Sequence, residues 1–521
     1  MKRKIKVSLG NNKFEERVIS YIPGRYIAAF AITLFEVLAI IGVMIALCMF
    51  VPYFYIAVGV TTFAVELKII ASDDNPDYKI PWMLFVLVIP VAGLMLYFIF
   101  GSRKLKKKYV NRLESLKNMS YQHDDLELLK KLEKENPIAA NQAKILKNIS
   151  DTNLFSNTKQ TYYPSGEEYH EALIEDLNKA EKFIYLEYFI IEEGKFWDSI
   201  LEILKEKANQ GLDIRVVFDD IGCMSTLPGD YAKQLEKFGI KATPFSRMKG
   251  QADNEFNNRN HRKITVIDGV VGYTGGINIA DEYINAIKRF GHWKDVGIRL
   301  EGEAVKELTR LFLIDFGINF KSQLETPDCL YPETNIKDDG FVIPFGDGPK
   351  PLYERRVGKT IIQNILATAT KYVYITTPYL IIDNELCTSI ENAALRGVEV
   401  KIIVPHIPDK KIVFNMTRSF YKRFIDSGVK IYEYEPGFVH AKTYVADDKY
   451  AIVGTINLDY RSLVHHFENG VWLYDCKCIK DIKDDIDDTL KKSIEIEPKM
   501  LKTNIFNRMF RALVRIFAPM L

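Results

Sequence analysis

His261-Arg-Lys-Ile-Thr-Val-Ile-Asp268 and His440-Ala-Lys-Thr-Tyr-Val-Ala-Asp447 are two copies of one pattern, H-x-K-x4-D, in a chain of 521 residues. Each is followed by small residues and an asparagine, Gly275-Gly276-Ile-Asn278 and Gly454-Thr455-Ile-Asn457, with the same histidine-to-asparagine interval. The likeness extends upstream. Lys182–Ile191 is β-rich, Phe196–Gln210 is helix-like, and Gly211-Leu-Asp-Ile-Arg-Val-Val-Phe218 reads as a strand. Lys371–Leu380, Asn384–Arg396 and Gly397-Val-Glu-Val-Lys-Ile-Ile-Val404 repeat that order. A glycine ends the helix in each copy and a valine/isoleucine strand follows. Duplicated strand–helix–strand units predict two α/β domains with right-handed crossovers and mostly parallel sheets.

The pattern has a chemical reading. Residues two apart on a strand share a face, so each histidine stands beside its lysine. An imidazole can attack phosphorus, and an ammonium can neutralise a non-bridging phosphoryl oxygen. Two copies meeting about a pseudo-two-fold axis supply two histidines, two lysines and two asparagines around one phosphate. One histidine is then the nucleophile and the other the general acid, later the base. His261, Lys263, Asp268, His440, Lys442 and Asp447 form the expected catalytic set. Within it, the two aspartates sit where a strand ends, which suits a structural turn better than chemistry. Asn278, Asn457, Gly276 and Thr455 are expected at the substrate phosphate; the glycine pair reads equally as a tight turn. Each imidazole needs a carboxylate to fix its tautomer, and the candidates are Asp295 in His292-Trp-Lys-Asp295 and Glu468 in His465-His-Phe-Glu468. This chemistry needs no metal and no cofactor, and neither is expected. His123, His170 and His406 have no motif context and read as satisfied or solvated histidines.

Outside the duplication the chain reads as membrane-associated. Tyr26–Ile70 is almost continuously apolar, and a second apolar run covers Pro81–Phe100. A spanning helix needs ~20 apolar residues. Spans are expected at about 27–49 and 81–100. Residues 53–71, weakened by Glu66 and Lys68, are expected as a third or re-entrant segment. Positive charge lies before the first span (Lys2, Arg3, Lys4, Lys6, Arg17, Arg25) and after the last (Arg103, Lys104, Lys106, Lys107, Lys108). Positive-inside logic places both on the cytoplasmic side, with the catalytic domains. The expected organisation is a membrane anchor over 1–102, a charged helical linker over 103–158, α/β domains over 159–335 and 336–500, and a basic amphipathic interfacial helix over 501–521. The leucines of 103–148 suit membrane contact and protein packing equally. The net charge of +2 names no partner, and a broad basic face suited to nucleic acid is missing. The six cysteines are scattered, with no disulfide framework and no paired zinc spacing.

These motifs resemble those of the phospholipase D superfamily, in two copies over roughly 160–495. Three stretches resemble bacterial cardiolipin synthases more closely. They are Asn75-Pro-Asp-Tyr-Lys-Ile-Pro-Trp82 with its continuation to Gly101, Asn260-His-Arg-Lys-Ile264 with Gly275–Tyr283, and Thr455–Ser462 with Phe467-Glu-Asn469. The resemblance implies tandem phospholipase D-like α/β sandwich domains about a pseudo-two-fold axis. It implies a cell-membrane, multi-pass enzyme that converts two phosphatidylglycerols to cardiolipin and glycerol through a phosphohistidine, with anionic bilayer lipids as surroundings. By analogy His261 is the nucleophile and His440 the acid/base. The alternatives are a phospholipase D hydrolase, a phosphatidyltransferase using another alcohol, a nuclease and a catalytically dead scaffold. The membrane segments oppose the nuclease reading, and the intact histidine–lysine pairs oppose the scaffold.

Overall fold

The computed structural model describes residues 2–8, 14–20, 24–101, 110–112, 116, 121, 123–247, 257–320, 327, 329–501, 506, 509, 511, 514–516 and 518–520. The basic cluster at 103–108 lies outside the described residues, as do most of 113–122 and much of the tail beyond 501.

The duplication is complete at the level of sheets. The first sheet orders its strands Thr158–Tyr163, Gly297–Gly302, Val271–Gly275, Lys263–Ile267, Phe183–Tyr188, Asp213–Asp219, Lys241–Phe245. The second orders them Phe341–Asp347, Glu468–Tyr474, Tyr450–Gly454, Thr443–Ala446, Tyr372–Thr376, Glu399–Pro405, Lys430–Tyr434, and adds Ser493–Glu495 at its edge. In both, the first helix of the repeat stops at a glycine with positive φ, Gly211 at 91° and Gly397 at 90°. That is the left-handed cap that lets the chain re-enter the sheet. The next strand then pairs parallel, Phe183–Tyr188 with Asp213–Asp219 and Tyr372–Thr376 with Glu399–Pro405.

The sheets are mixed, which corrects the expectation of mostly parallel ones. The H-x-K strands run antiparallel to their neighbours on both sides. The cause lies in the motif. Asp268 and Gly269 (φ 54° and 70°) and Asp447 and Asp448 (φ 55° and 59°) are the central residues of tight turns with positive φ at both positions, the geometry that returns a strand as a hairpin.

An apolar cluster shared by both sheets joins the domains. It contains Tyr185, Ile264 and Val266 from the first, Val445, Val453 and Val471 from the second, and Leu308 and Phe312 of the helix Val305–Asn319. The stretch read as a linker is structural. Asn136 caps the helix Pro137–Ser150 by accepting from the Ile138 and Ala139 amides. This helix and Leu126–Glu135 bury Leu129, Leu132, Ala140 and Leu146 in the core of the second domain, and Gln142 accepts from the Trp472 indole at 3.0 Å. These leucines face protein, not lipid.

The front of the chain differs from the expected pair of spans. Helices cover Gly24–Phe50 and Pro52–Ala71, and Tyr53–Ala71 is the helix among the described residues long and apolar enough to cross a membrane. The 81–100 run is not one helix. Pro76–Val88 and Pro90–Phe100 fold back on each other at Ile89-Pro90, so that Trp82 meets Tyr97 with ring centroids 5.6 Å apart. Pro90 removes the amide that a continuing helix would use. Gly93 permits the reversal, because a Cβ there would lie 2.2 Å from the Phe85 carbonyl oxygen. The base of this hairpin is tied to the second domain. Asp77 accepts from the Asn384 amide at 2.9 Å and from the Tyr460 hydroxyl, and Tyr78 stacks edge-on against Tyr460 at 5.2 Å.

The tail combines docking with exposure. Val514 and Ala518 pack against the core of the second domain, whereas Phe506 and Met509 are exposed. Cys223, Cys387, Cys476 and Cys478 are buried free thiols. His123, His170 and His406 are satisfied by the Leu154 carbonyl, Ser199 and Glu433.

Candidate active site

Each catalytic strand is entered through a short segment that pairs with the opposite domain. Gly437–Val439 runs parallel to His292–Lys294, and the His440 amide donates to the Lys294 carbonyl at 2.7 Å. In the other half, the His261 amide donates to the Phe467 carbonyl at 2.8 Å, and the Phe467 amide to that of Arg259. This exchange puts each histidine beside the carboxylate of the other copy. His261 Nδ1 lies 2.9 Å from both oxygens of Glu468, and His440 Nδ1 lies 2.6 Å from Asp295 Oδ2. The two carboxylates named from sequence are therefore the histidines' partners, crosswise between the copies.

The pairs are almost dry. His261 is 6% exposed and His440 8%, while Lys263, Lys442, Asp295 and Glu468 are fully enclosed. Burial depresses both imidazoles, to about 3 for His261 and about 4 for His440, although Glu468 and Asp295 pull them upward. For the carboxylates burial works against ionisation, but their histidine partners outweigh it and hold Glu468 and Asp295 below the usual range. The resting arrangement is a neutral imidazole donating Nδ1–H to a carboxylate, which leaves Nε2 with its lone pair free. Burial also lowers the lysines, Lys263 to about 7 with help from the Lys442 charge, and Lys442 to about 8. Lys263 Nζ donates to the His261 carbonyl at 2.7 Å, and Lys442 Nζ stands 2.7 Å from His440 Nδ1.

Gly276 and Thr455, expected at the phosphate, lie instead behind the orienting carboxylates. A Cβ on Gly276 would fall 2.0 Å from Asp295 Oδ1, so the missing side chain makes room for that carboxyl. At the matching place Thr455 donates its hydroxyl to Glu468. The asparagines have their own bonds. Asn278 donates to the Tyr283 hydroxyl at 2.7 Å and accepts from the Ile190 amide, whereas Asn457 donates to Asp459 and leaves Oδ1 unpartnered.

Asp268 and Asp447 stand at the far end of their strands from the histidines. The Asp268 carboxylate accepts from the amides of Glu181, Lys182 and Phe183, each at 2.8 Å. Asp447 likewise takes those of Thr370, Lys371 and Tyr372. Each binds its hairpin turn to the start of the neighbouring strand. Asp268→Ala is expected to cost roughly 2–4 kcal/mol of stability by removing three charge-assisted bonds. Activity per folded molecule should change far less than on loss of a histidine. Chemical denaturation alongside activity normalised to folded protein checks both.

Residues not anticipated from sequence complete the site. Ser462 donates to Glu468 at 2.6 Å, and the His466 ring lies 5.6 Å from that of His261. Phe189 packs edge-on against His261, and Tyr283 and Trp293 flank His440. Arg259 clamps buried Asp219, and Arg262 bonds Asp315 and the Glu468 carbonyl, fixing the residues on either side of His261. His466 could have been singled out by its place two residues before Glu468, but nothing in its spacing said which ring it would face. His261, His466 and Glu468 bring three ligand-type atoms within 4.8 Å of one another. Two of the three residues are already engaged in the histidine–carboxylate bond.

The two α/β domains, each with its H-x-K strand, are tandem phospholipase D-like domains, and comparisons with known proteins give the family. Residues 173–306 and 362–490 both match the family described as cardiolipin synthase, PLD-like domain, and 61–102 match the phospholipase D-nuclease N-terminal family. A cardiolipin synthase of Halalkalibacterium halodurans is 32% identical, covering 90% of this chain and 94% of that protein. One of Geobacillus kaustophilus is 31% identical over 90% and 94%. An uncharacterised protein of Streptococcus mutans is 44% identical over 87% of the chain and 99% of its own length. Among solved structures, the phosphatidylserine synthase of Haemophilus influenzae shares the fold, with a TM-score of 0.56 at 17% identity over 74% of this chain and 98% of that one. The chain belongs to the cardiolipin synthase family of the phospholipase D superfamily.

Proposed function

We propose that this protein is a membrane-anchored cardiolipin synthase that transfers a phosphatidyl group from one phosphatidylglycerol to another. The observation that carries the reading is the crosswise pair of neutral, dehydrated imidazoles, each oriented by a carboxylate and accompanied by a lysine. His261 Nε2 attacks phosphorus, and the bond to the departing glycerol oxygen breaks. His440 takes up a proton from solvent as the phosphodiester brings negative charge into the cleft, and gives it to that oxygen. The neutral His440 then takes the proton of the incoming lipid's glycerol hydroxyl. That oxygen displaces His261 from phosphorus and yields cardiolipin. Lys263 and Lys442, with the Asn278 and Asn457 amides, meet the charge on the five-coordinate transition state. Asp295 and Glu468 hold the imidazoles, and Asp268 and Asp447 hold the strands. The membrane anchor and the near-neutral chain favour lipid over nucleic acid as substrate.

The topology that fits the geometry has spans at Gly24–Phe50 and Pro52–Ala71, with 76–100 as a re-entrant hairpin. Two spans return the chain to the side it left, so both basic flanks and the catalytic domains face the cytoplasm. Tyr78 at the hairpin base packs near His465 and Tyr460, which brings the bilayer to the second catalytic motif.

Turnover in oxygen-isotope-labelled water separates transfer from hydrolysis. Cardiolipin without label in its phosphates supports the proposal, whereas labelled phosphatidic acid as the main product makes water the acceptor. On the alkaline side the pH dependence follows protonated His440, scarce in the free enzyme above about 4, and the two lysines. Their ammonium forms are required and are lost as pH rises through about 7 and 8, so kcat/KM is expected to fall on that alkaline side. Bound phosphodiester stabilises the ammonium, so the alkaline limb of kcat should lie at higher pH than that of kcat/KM.

A further inference from the structure

A cavity of about 730 Å³ lies away from the catalytic histidines, where the hairpin base, the helix Lys411–Asp426 and the tail meet. Its walls are of two kinds. Arg418, Lys422, Arg511 and Arg515 supply positive charge, and Ile80 and Pro81 of the hairpin supply an apolar lip. Arg418 is balanced by buried Glu433 and Lys422 by Asp426. Arg511 and Arg515 have no ion-pair partner among the described carboxylates. Arg515 lies over the Phe420 ring at 4.3 Å, and among the described residues Arg511 donates to Asn415. Burial and the neighbouring Arg418 charge depress the Arg511 guanidinium below its ordinary range, the mark of a cation lacking its counterion. Asp77, the acid in the wall, is taken up by the Asn384 amide and the Tyr460 hydroxyl.

The apolar lip does not stop at the cavity. Ile80, Leu84, Leu87 and Val88 recur at helical spacing on one face of Pro76–Val88, and all four are exposed, Val88 by 71%. This stripe leads from the cationic cavity to the turn of the hairpin at Ile89. A headgroup phosphate among guanidiniums with acyl chains along that stripe would meet both needs at once.

We propose that this cavity is a second phospholipid site, at which an anionic diacyl phospholipid docks by its phosphodiester while its chains follow the hairpin to the bilayer. The site goes beyond the transfer reaction, because its binding needs neither catalytic histidine. It also gives the basic tail a role: Arg511 and Arg515 close the cavity, so lipid occupancy and tail docking support each other.

The test uses the full-length chain carrying His261→Ala, in neutral-detergent micelles, with phosphatidylglycerol titrated and bound lipid counted by native mass spectrometry. The expected result is two lipids per chain. In Arg511→Gln/Arg515→Gln one of them should bind roughly tenfold or more weakly. Lys422→Glu, at a side chain 77% exposed, should weaken the same site without endangering the fold. Phosphatidylcholine should not fill it, nor should glycerol phosphate displace the lipid. Unchanged stoichiometry and affinity in both variants would overturn the proposal. So would equal filling by phosphatidylcholine, or displacement by glycerol phosphate at matching concentration. Loss of lipid binding at the catalytic cleft alone, with the charge-sensitive site retained, would count against the transferase reading and not against this one.

Discussion

Replacing His261 by alanine is expected to lower phosphatidyl transfer by about 10⁴-fold or more with the fold intact, because the imidazole that attacks phosphorus is gone. The imidazole is held on one side only, through Nδ1 to Glu468, so removal leaves space without breaking a strand. His440→Ala should differ in kind. If His261 is the nucleophile and His440 the acid/base, this variant should form the phosphatidyl adduct slowly and discharge it more slowly still. The adduct is then found on a peptide containing residues 259–263 by mass spectrometry under alkaline handling, where a phosphorus–nitrogen bond survives. An adduct on His440 in the His261 variant would reverse the two roles.

The second large effect concerns the exchanged carboxylates. Glu468→Gln and Asp295→Asn keep size and shape but remove the charge that balances an imidazolium, and turn one of the two carboxylate oxygens beside Nδ1–H into a donating NH2. Each is expected to cost about 10³- to 10⁴-fold in kcat, with a much smaller change in KM, the behaviour of groups acting through the histidine rather than on substrate. Crosswise pairing makes the outcome specific. Glu468→Gln disables His261 and should suppress adduct formation. Asp295→Asn disables His440 and should leave adduct formation less affected than its discharge. Pre-steady-state adduct yields in the two variants tell whether the pairing is crosswise. Pairing within each copy predicts the opposite assignment.

The doubled motif made the tandem α/β architecture legible, because Lys182–Phe218 and Lys371–Val404 repeat an order of elements as well as a few residues. The sheet direction was misread from the same stretches. Strand–helix–strand units announce parallel pairing, but Asp268-Gly269 and Asp447-Asp448 announce hairpins, and each sheet contains both. The carboxylates that contact the histidines are legible by residue type and nearness to the motifs. Their exchange between copies was out of reach, since it depends on segments 437–439 and 292–294 pairing across the dyad. Gly276 and Thr455 were assigned to phosphate because small residues beside a motif suggest it. What they meet is the back of a carboxylate on a neighbouring stretch of the same copy. At the front, hydropathy counted Pro81–Phe100 as one span because an apolar average is blind to backbone direction. Pro90, with Gly93 three residues on, carried the signal of reversal.

Passage of a phosphatidyl group from lipid to lipid through His261 can be tested in a single experiment. The most direct measurement is product analysis by mass spectrometry after incubating the purified protein with phosphatidylglycerol vesicles, with chelator present and no metal added. Cardiolipin and glycerol should appear in equal amounts and be lost in His261→Ala. Phosphatidic acid in place of cardiolipin, or undiminished cardiolipin from the His261 variant, would contradict it.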